Sequence, residues 1–188
     1  MPRSGECTAE FPKPFRAQRV PGPVSDWRIR RRTRLKHKEA HALRDEVAAS
    51  LGGLSLWPDD AAVEVGEAPD FDVVLVDNEP VALRREGSAF LTVRGLLKYR
   101  PASAYVTVDM GAVRFVHNGA DVMAPGIVDA DPGLDEGDWC WIRDERNRQP
   151  LAVGRCIMPG ADMATVGKGK AVQSVHYLGD KLWAWGQD

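Results

Sequence analysis

From Trp27 onward the hydrophobic pattern switches between two periods. Residues 27–35, WRIRRRTRL, place Ile29, Arg31, Thr33 and Leu35 on one face of an extended segment and Arg28, Arg30, Arg32 and Arg34 on the other, which predicts a strand. Leu43, Val47 and Leu51 then recur every four residues and predict a helix that Gly52-Gly53 ends. Three strand patterns follow: AAVEVGEA (61–68), FDVVLVD (71–77) and PVALRRE (80–86), the last two joined by the turn DNEP. FLTVRGLLKY (90–99) fits either period: Val93, Leu96 and Leu97 favour a short helix and Gly95 opposes it.

A second series begins near Pro101. AYVTVD alternates as a strand, and MGAVRFVH reads as a short helix capped by Asp109 and stopped by Asn118-Gly119. DVMAPGIV is a kinked strand, and DADPGLDEGD an acidic loop. WCWIRD and PLAVGRCIM form a hairpin across ERNRQ, and KAVQSVHYLGDKLWAW supplies one or two closing strands. Val113, Phe115, Val116 and Ile127 are assigned to the core. Many short strands with few helices suggest a small, partly closed β-barrel. Residues 1–25, with prolines at 2, 12, 14, 21 and 23 and no hydrophobic period, read as a disordered leader. Two domains follow, 26–100 and 101–188.

With 44% hydrophobic residues the chain can bury a core. It has no apolar run of the roughly 18–20 residues a membrane span needs, nor a secretory signal, so a cytoplasmic location is expected. Cys7, Cys140 and Cys156 are too scattered for a zinc ribbon, and the last two read as reduced core thiols. The net charge of −2 says less than its distribution. Arg28, Arg30, Arg31, Arg32, Arg34, Lys36 and Lys38 lie within residues 28–38 with no acid among them. Such a ridge attracts phosphate through counterion release, and it also suits an edge strand that must avoid stray pairing. Arg94, Lys98 and Arg100 form a second cationic group, and Lys168 and Lys170 a third.

Catalytic patterns are missing. There is no G-x-S-x-G elbow. GADMATVGKGK fails as a phosphate loop, because six residues separate Gly160 from Gly167 and Gly169 follows Lys168. His37 and His41 are four apart, but no third ligand is spaced to join them. Trp139 and Trp141 share one sheet face, as do Trp183 and Trp185; packing is favoured over base stacking for both pairs.

YVTVDMGAVRFVHNGADVMAPGIV, AVGRCIM and VGKGKAVQSVHYLGDKLW together resemble the PUA domain, the RNA-binding module named for pseudouridine synthase and archaeosine transglycosylase. FLTVRGLLKY and GKAVQSVHYLGDKLW are similar to the malignant T-cell amplified sequence family and its archaeal relatives. The acidic insert after Val128 departs from the pattern. The resemblance implies an α+β fold, with a small N-terminal α/β (pre-PUA) domain followed by a C-terminal PUA pseudo-β-barrel. It also implies a non-catalytic RNA-binding protein of translation, without cofactor or metal. Its partners would be tRNA or rRNA at an acceptor stem or 3′ end, the small ribosomal subunit and a translation factor; the eukaryotic relatives act with density-regulated protein.

By motif position, the RNA surface comprises Gly111, Ala112, Gly119, Ala120, Asp121, Val122, Met123, Lys168 and Lys170. The cationic residues Arg28, Arg30, Arg32, Arg34, Arg94, Lys98 and Arg100 would add phosphate contacts. Physically, the two glycines let ribose and phosphate approach the main chain, and the free N–H groups near Gly111 would meet a phosphate. Ala120 and Met123 would floor a terminal base. Alternatively, the glycines only satisfy helix ends. Two other functions remain open: an RNA-modification enzyme or its RNA-targeting subunit, and a protein-interaction scaffold.

Overall fold

A computed structural model describes residues 27–186; the leader assigned to 1–25 lies outside the described residues. The first sheet is an antiparallel meander of β1 (Arg30–Arg34), β2 (Val63–Glu67), β3 (Asp72–Val76), β4 (Glu79–Arg85) and β5 (Ser88–Leu91), in that spatial order. Helix α1 (His37–Ala49) buries Ala40, Leu43 and Val47 and packs against β5; Leu51, the third residue of the predicted stripe, is buried just past the helix end. The DNEP hairpin forms as expected, with Asp77 and Asn78 at φ of 50° and 69°. Such left-handed positions suit Asp and Asn, whose short polar side chains tolerate them.

Strand β1 departs from strict alternation. Arg31 has φ 49°, and the pairing jumps from Arg30–Glu67 to Thr33–Val65, so two residues oppose one. This bulge puts Arg32 beside Glu64 (2.7 Å) and Asn78 (2.8 Å), and Arg31 against Glu67 (3.4 Å). All five residues of β1 are exposed at the sheet edge.

The ambiguous segment 90–99 contains both elements. Strand β5 ends at Leu91 and α2 spans Val93–Tyr99, with Thr92 between them. The Thr92 hydroxyl accepts from Gly95 N–H at 3.1 Å and donates to the Pro80 carbonyl at 2.6 Å. A Cβ at Gly95 would come within 2.2 Å of the Val81 carbonyl oxygen. The glycine that weakens the helix by propensity is therefore what lets α2 lie on β4.

The second sheet curls into a nearly closed barrel. Its strands are β6 (Tyr105–Val108), β7 (Val122–Met123), β8 (Ile127–Ala130), β9 (Trp139–Asp144), β10 (Pro150–Cys156) and β11 (Lys170–Tyr177), in the spatial order β7-β11-β10-β9-β6-β8. Only β6 and β9 run parallel. Helix α3 (Met110–Val116) follows β6, and a 3-10 turn (Ala124–Gly126) makes the kink between β7 and β8. A short helix α4 (Gly160–Met163) precedes β11. The chain described after β11 differs from a strand: α5 (Lys181–Ala184) is a helical turn that Asp180 caps through Trp183 N–H at 2.8 Å. Trp183 and Trp185 therefore do not share a strand face, whereas Trp139 and Trp141 are both buried on β9.

Side chains lock the two sheets together. Phe90 stacks on Trp139 at 5.9 Å, and Trp139 Nε1–H donates to Ser88 Oγ at 2.9 Å. The Arg155 guanidinium lies over the Trp139 ring at 3.9 Å and bonds Ser88 and the Gly137 carbonyl. Cys140 and Cys156 are free thiols buried in this core. Contact with Cys156 and burial push the Cys140 thiol well up, so it stays protonated and inert.

Candidate nucleic-acid interface

Asp109 caps α3 as expected, its carboxylate accepting Ala112 N–H at 2.8 Å. Val116 is buried and Ala112 and Val113 half-buried, which forms the inward stripe of a helix with two turns. Phe115 lies off that stripe. It is 52% exposed, which corrects its assignment to the core. It faces Met123, itself 49% exposed, across an open cleft of about 560 Å³. The walls come from Asp109 and α3, with Arg114 and Phe115, on one side, and from the segment Ala120–Gly126 on the other. The Arg114 guanidinium sits 4.6 Å above the Phe115 ring.

Several predicted site residues meet here, in altered roles. Ala120 and Met123 line the cleft, but Val122 is buried and offers only part of its wall. Asp121 is a brace: one oxygen accepts Ser174 N–H at 2.9 Å and the other pairs with Lys170 Nζ at 2.5 Å. Lys170 pairs across the ladder with Met123, and Ala124 N–H donates to the Gly169 carbonyl, so the loop carrying exposed Lys168 borders the cleft.

At the helix N-terminus, two of the N–H groups expected to meet a phosphate are already engaged. Ala112 N–H is taken by Asp109, and Met110 N–H by Glu145 at 3.1 Å. Two carboxylates there repel an incoming anion. Gly119 is structural. It ends α3 at φ 77°, and a Cβ on it would lie 2.5 Å from the Tyr177 ring. Gly119→Ala is expected to cost about 1–3 kcal/mol, from left-handed strain plus overpacking. A fall in melting temperature checks this.

The remaining cations are dispersed. The described residues of β1 do not line the cleft; Arg28, Arg30 and Arg34 are exposed on the first sheet's edge. Arg94 is a junction clamp, donating to the carbonyls of Trp183 (2.7 Å) and Trp185 (2.8 Å), which removes it from a phosphate role. Lys98 pairs with Glu79 at 3.0 Å, while Arg100 is exposed at the end of α2. The His37 and His41 rings lie 4.0 Å apart, with His41 3.3 Å from Asp59, whose carboxylate also holds Arg44. No cluster of three or more metal-ligating side chains occurs among the described residues.

Sequence reasoning missed Phe115, Arg114 and the Pro125-Gly126 wall. The helical stripe held the signal for Phe115: a residue one step from Val116 points about 100° away from the buried face.

A curled six-stranded barrel with a capped short helix beside an apolar cleft defines a PUA protein, and residues 104–178 match the PUA domain family. The chain is 40% identical over 156 residues to an uncharacterized protein of Methanocaldococcus jannaschii, covering 82% of this chain and 96% of that one. It is 30% identical over 135 residues to translation machinery-associated protein 20 of Saccharomyces cerevisiae, covering 68% of this chain and 75% of that one. A hypothetical protein of Pyrococcus horikoshii has the same architecture in its crystal structure, with a TM-score of 0.73 and 34% identity over 81% of this chain and 97% of that one. The chain belongs to the PUA-containing family of translation machinery-associated protein 20 and malignant T-cell-amplified sequence proteins.

Proposed function

We propose that the protein binds the exposed end of a structured RNA, a tRNA or ribosomal RNA, and serves translation on the small ribosomal subunit without altering the RNA covalently. The observation that carries this is the open apolar cleft between Phe115 and Met123, lined by Arg114 and adjoined by the segment that carries Lys168 and the Asp121-paired Lys170. A half-exposed aromatic ring near cations offers a stacking face and charge together. An unstacked terminal nucleotide fits both features, placing its base on the ring and its phosphates near the cations. The names of the relatives support a setting in translation. A cytoplasmic location and a translation-factor partner are part of the same proposal; among the described residues no helix is long and apolar enough to cross a membrane.

The test is titration of labelled tRNA across a salt series. Affinity is expected to fall steeply with salt, and the combination of Lys168→Glu with Lys170→Gln to weaken it further. The glutamine keeps a donor for Asp121, so the cleft wall stays braced. Equal binding by that variant and the parent would exclude the lysines from the interface. A parent that binds no tRNA or ribosomal RNA at low salt would overturn the reading.

A further inference from the structure

A second cleft, of about 260 Å³, lies where α2 meets the turn between β9 and β10. Its lining includes Arg100, Arg143 and Arg148 with Leu97, Trp141 and Gln149, and no carboxylate among the described residues. We propose that this junction cleft holds the phosphate backbone of the RNA strand whose end occupies the α3 cleft. The proposal rests on the reading above and joins Arg100 to Arg143 and Arg148, which no motif marks.

The floor is a fixed charge. Arg143 is 8% exposed, its guanidinium lies 3.6 Å from the Tyr105 ring centre, and its Nε–H donates to Thr107 at 2.8 Å. Its nearest acid is Asp129, at 3.7 Å. At the mouth, Arg100 and Arg148 are exposed, on backbone set by the end of α2 and by the Arg148 N–H bond to the Asp144 carbonyl (3.1 Å). The acids nearby are already engaged. Asp144 turns inward, where its oxygens accept Asn147 N–H (2.6 Å) and Gln149 N–H (2.9 Å). Burial opposes its charge, but those backbone donors prevail and hold its carboxyl below the usual range. Glu79 is paired with Lys98. Three guanidinium groups converge here, Arg143 with Asp129 as an ion-pair partner at 3.7 Å and Arg100 and Arg148 exposed, and such groups meet phosphate oxygens in a planar fork.

The same turn joins the two clefts. Glu145, its first residue, bonds Val108 and Met110 at the start of α3, while Asn147, Arg148 and Gln149 line the junction cleft. A strand leaving the α3 cleft therefore needs to cross only this turn to reach the arginines. Two acids flank that path, Glu145 and Asp109, and their carboxylates are held by Met110 N–H and Ala112 N–H.

The experiment compares a single-stranded RNA dinucleotide with a decanucleotide by fluorescence anisotropy, for the parent and for Arg100→Gln combined with Arg148→Gln. The parent is expected to bind the longer RNA more tightly. The variant should lose most of that advantage, bind the dinucleotide as the parent does, and show a log-affinity against log-salt slope shallower by about 1.4, two phosphate contacts' worth on a single strand. Unchanged decanucleotide affinity and slope would overturn the proposal. So would equal loss for both RNAs at an unchanged melting temperature, because the two clefts would then not be separate contacts. A parent that binds neither RNA rejects the RNA-end reading itself, an outcome distinct from either.

Discussion

Replacing both Phe115 and Met123 by alanine is expected to weaken tRNA binding by about 1–3 kcal/mol, roughly 5- to 150-fold, and to leave the fold intact. The loss comes from the platform under a base. A ring contributes stacking area, and a thioether beside it adds polarizable contact. Stability should change little, because both side chains are about half exposed and their removal opens no interior cavity. The contrast with the lysine variant is informative. Lysine changes alter the salt dependence, whereas the alanine pair should weaken binding by a similar factor at every salt concentration. Binding measured at two ionic strengths, with a melting curve for each variant, checks the claim. An alanine variant that binds as tightly as the parent would remove the cleft from the interface.

Phe90→Ala is expected to have the largest effect on stability, about 3–5 kcal/mol. Phe90 is fully buried and stacks on Trp139 from the other sheet, and the Trp139 ring also contacts Arg155. Truncation leaves a cavity that the surrounding backbone cannot easily fill, because Ser88, two residues earlier on the same strand, is tied to Trp139 and Arg155. Out of a typical total of about 5–15 kcal/mol, this loss is severe. Urea denaturation followed by tryptophan emission reads it directly. The parent should unfold in one transition, since a single buried cluster runs through both sheets. The variant should unfold at lower urea, and separation into two transitions would show that Phe90 couples the halves. A loss below about 1 kcal/mol would contradict the packing argument.

Turns and caps were the legible parts of this chain. Asp77-Asn78, Asp109 before α3 and Gly119 after it each act through contacts within a few residues, so their local chemistry sufficed. The stripe Leu43, Val47 and Leu51 was equally plain, because one helical face repeats regularly. The bulge at Arg31 could not be read, since it exists only in the pairing with β2. Segment 90–99 resisted assignment because Gly95 is favourable only against the Val81 carbonyl, a contact that local propensity does not include.

The candidate site divides along the same line. The residues 111–123 could be located from sequence, because a capped helix, a glycine stop and an apolar strand follow one another in order. Which of the chain's cations remain available could not. Arg94 and Arg100 stand six positions apart with the same charge, yet one is held by the carbonyls of Trp183 and Trp185 and the other faces solvent. Sequence alone determined most of the elements and the module they build, since these depend on backbone propensities and short-range hydrogen bonds, though not the division of 90–99 or the helical turn at Lys181–Ala184. Tertiary structure alone decided that Glu145 joins Asp109 at the α3 N-terminus, and that Arg143 and Arg148 join Arg100. Each depends on groups distant along the chain, and only the folded arrangement sets which charges meet a partner and which meet water.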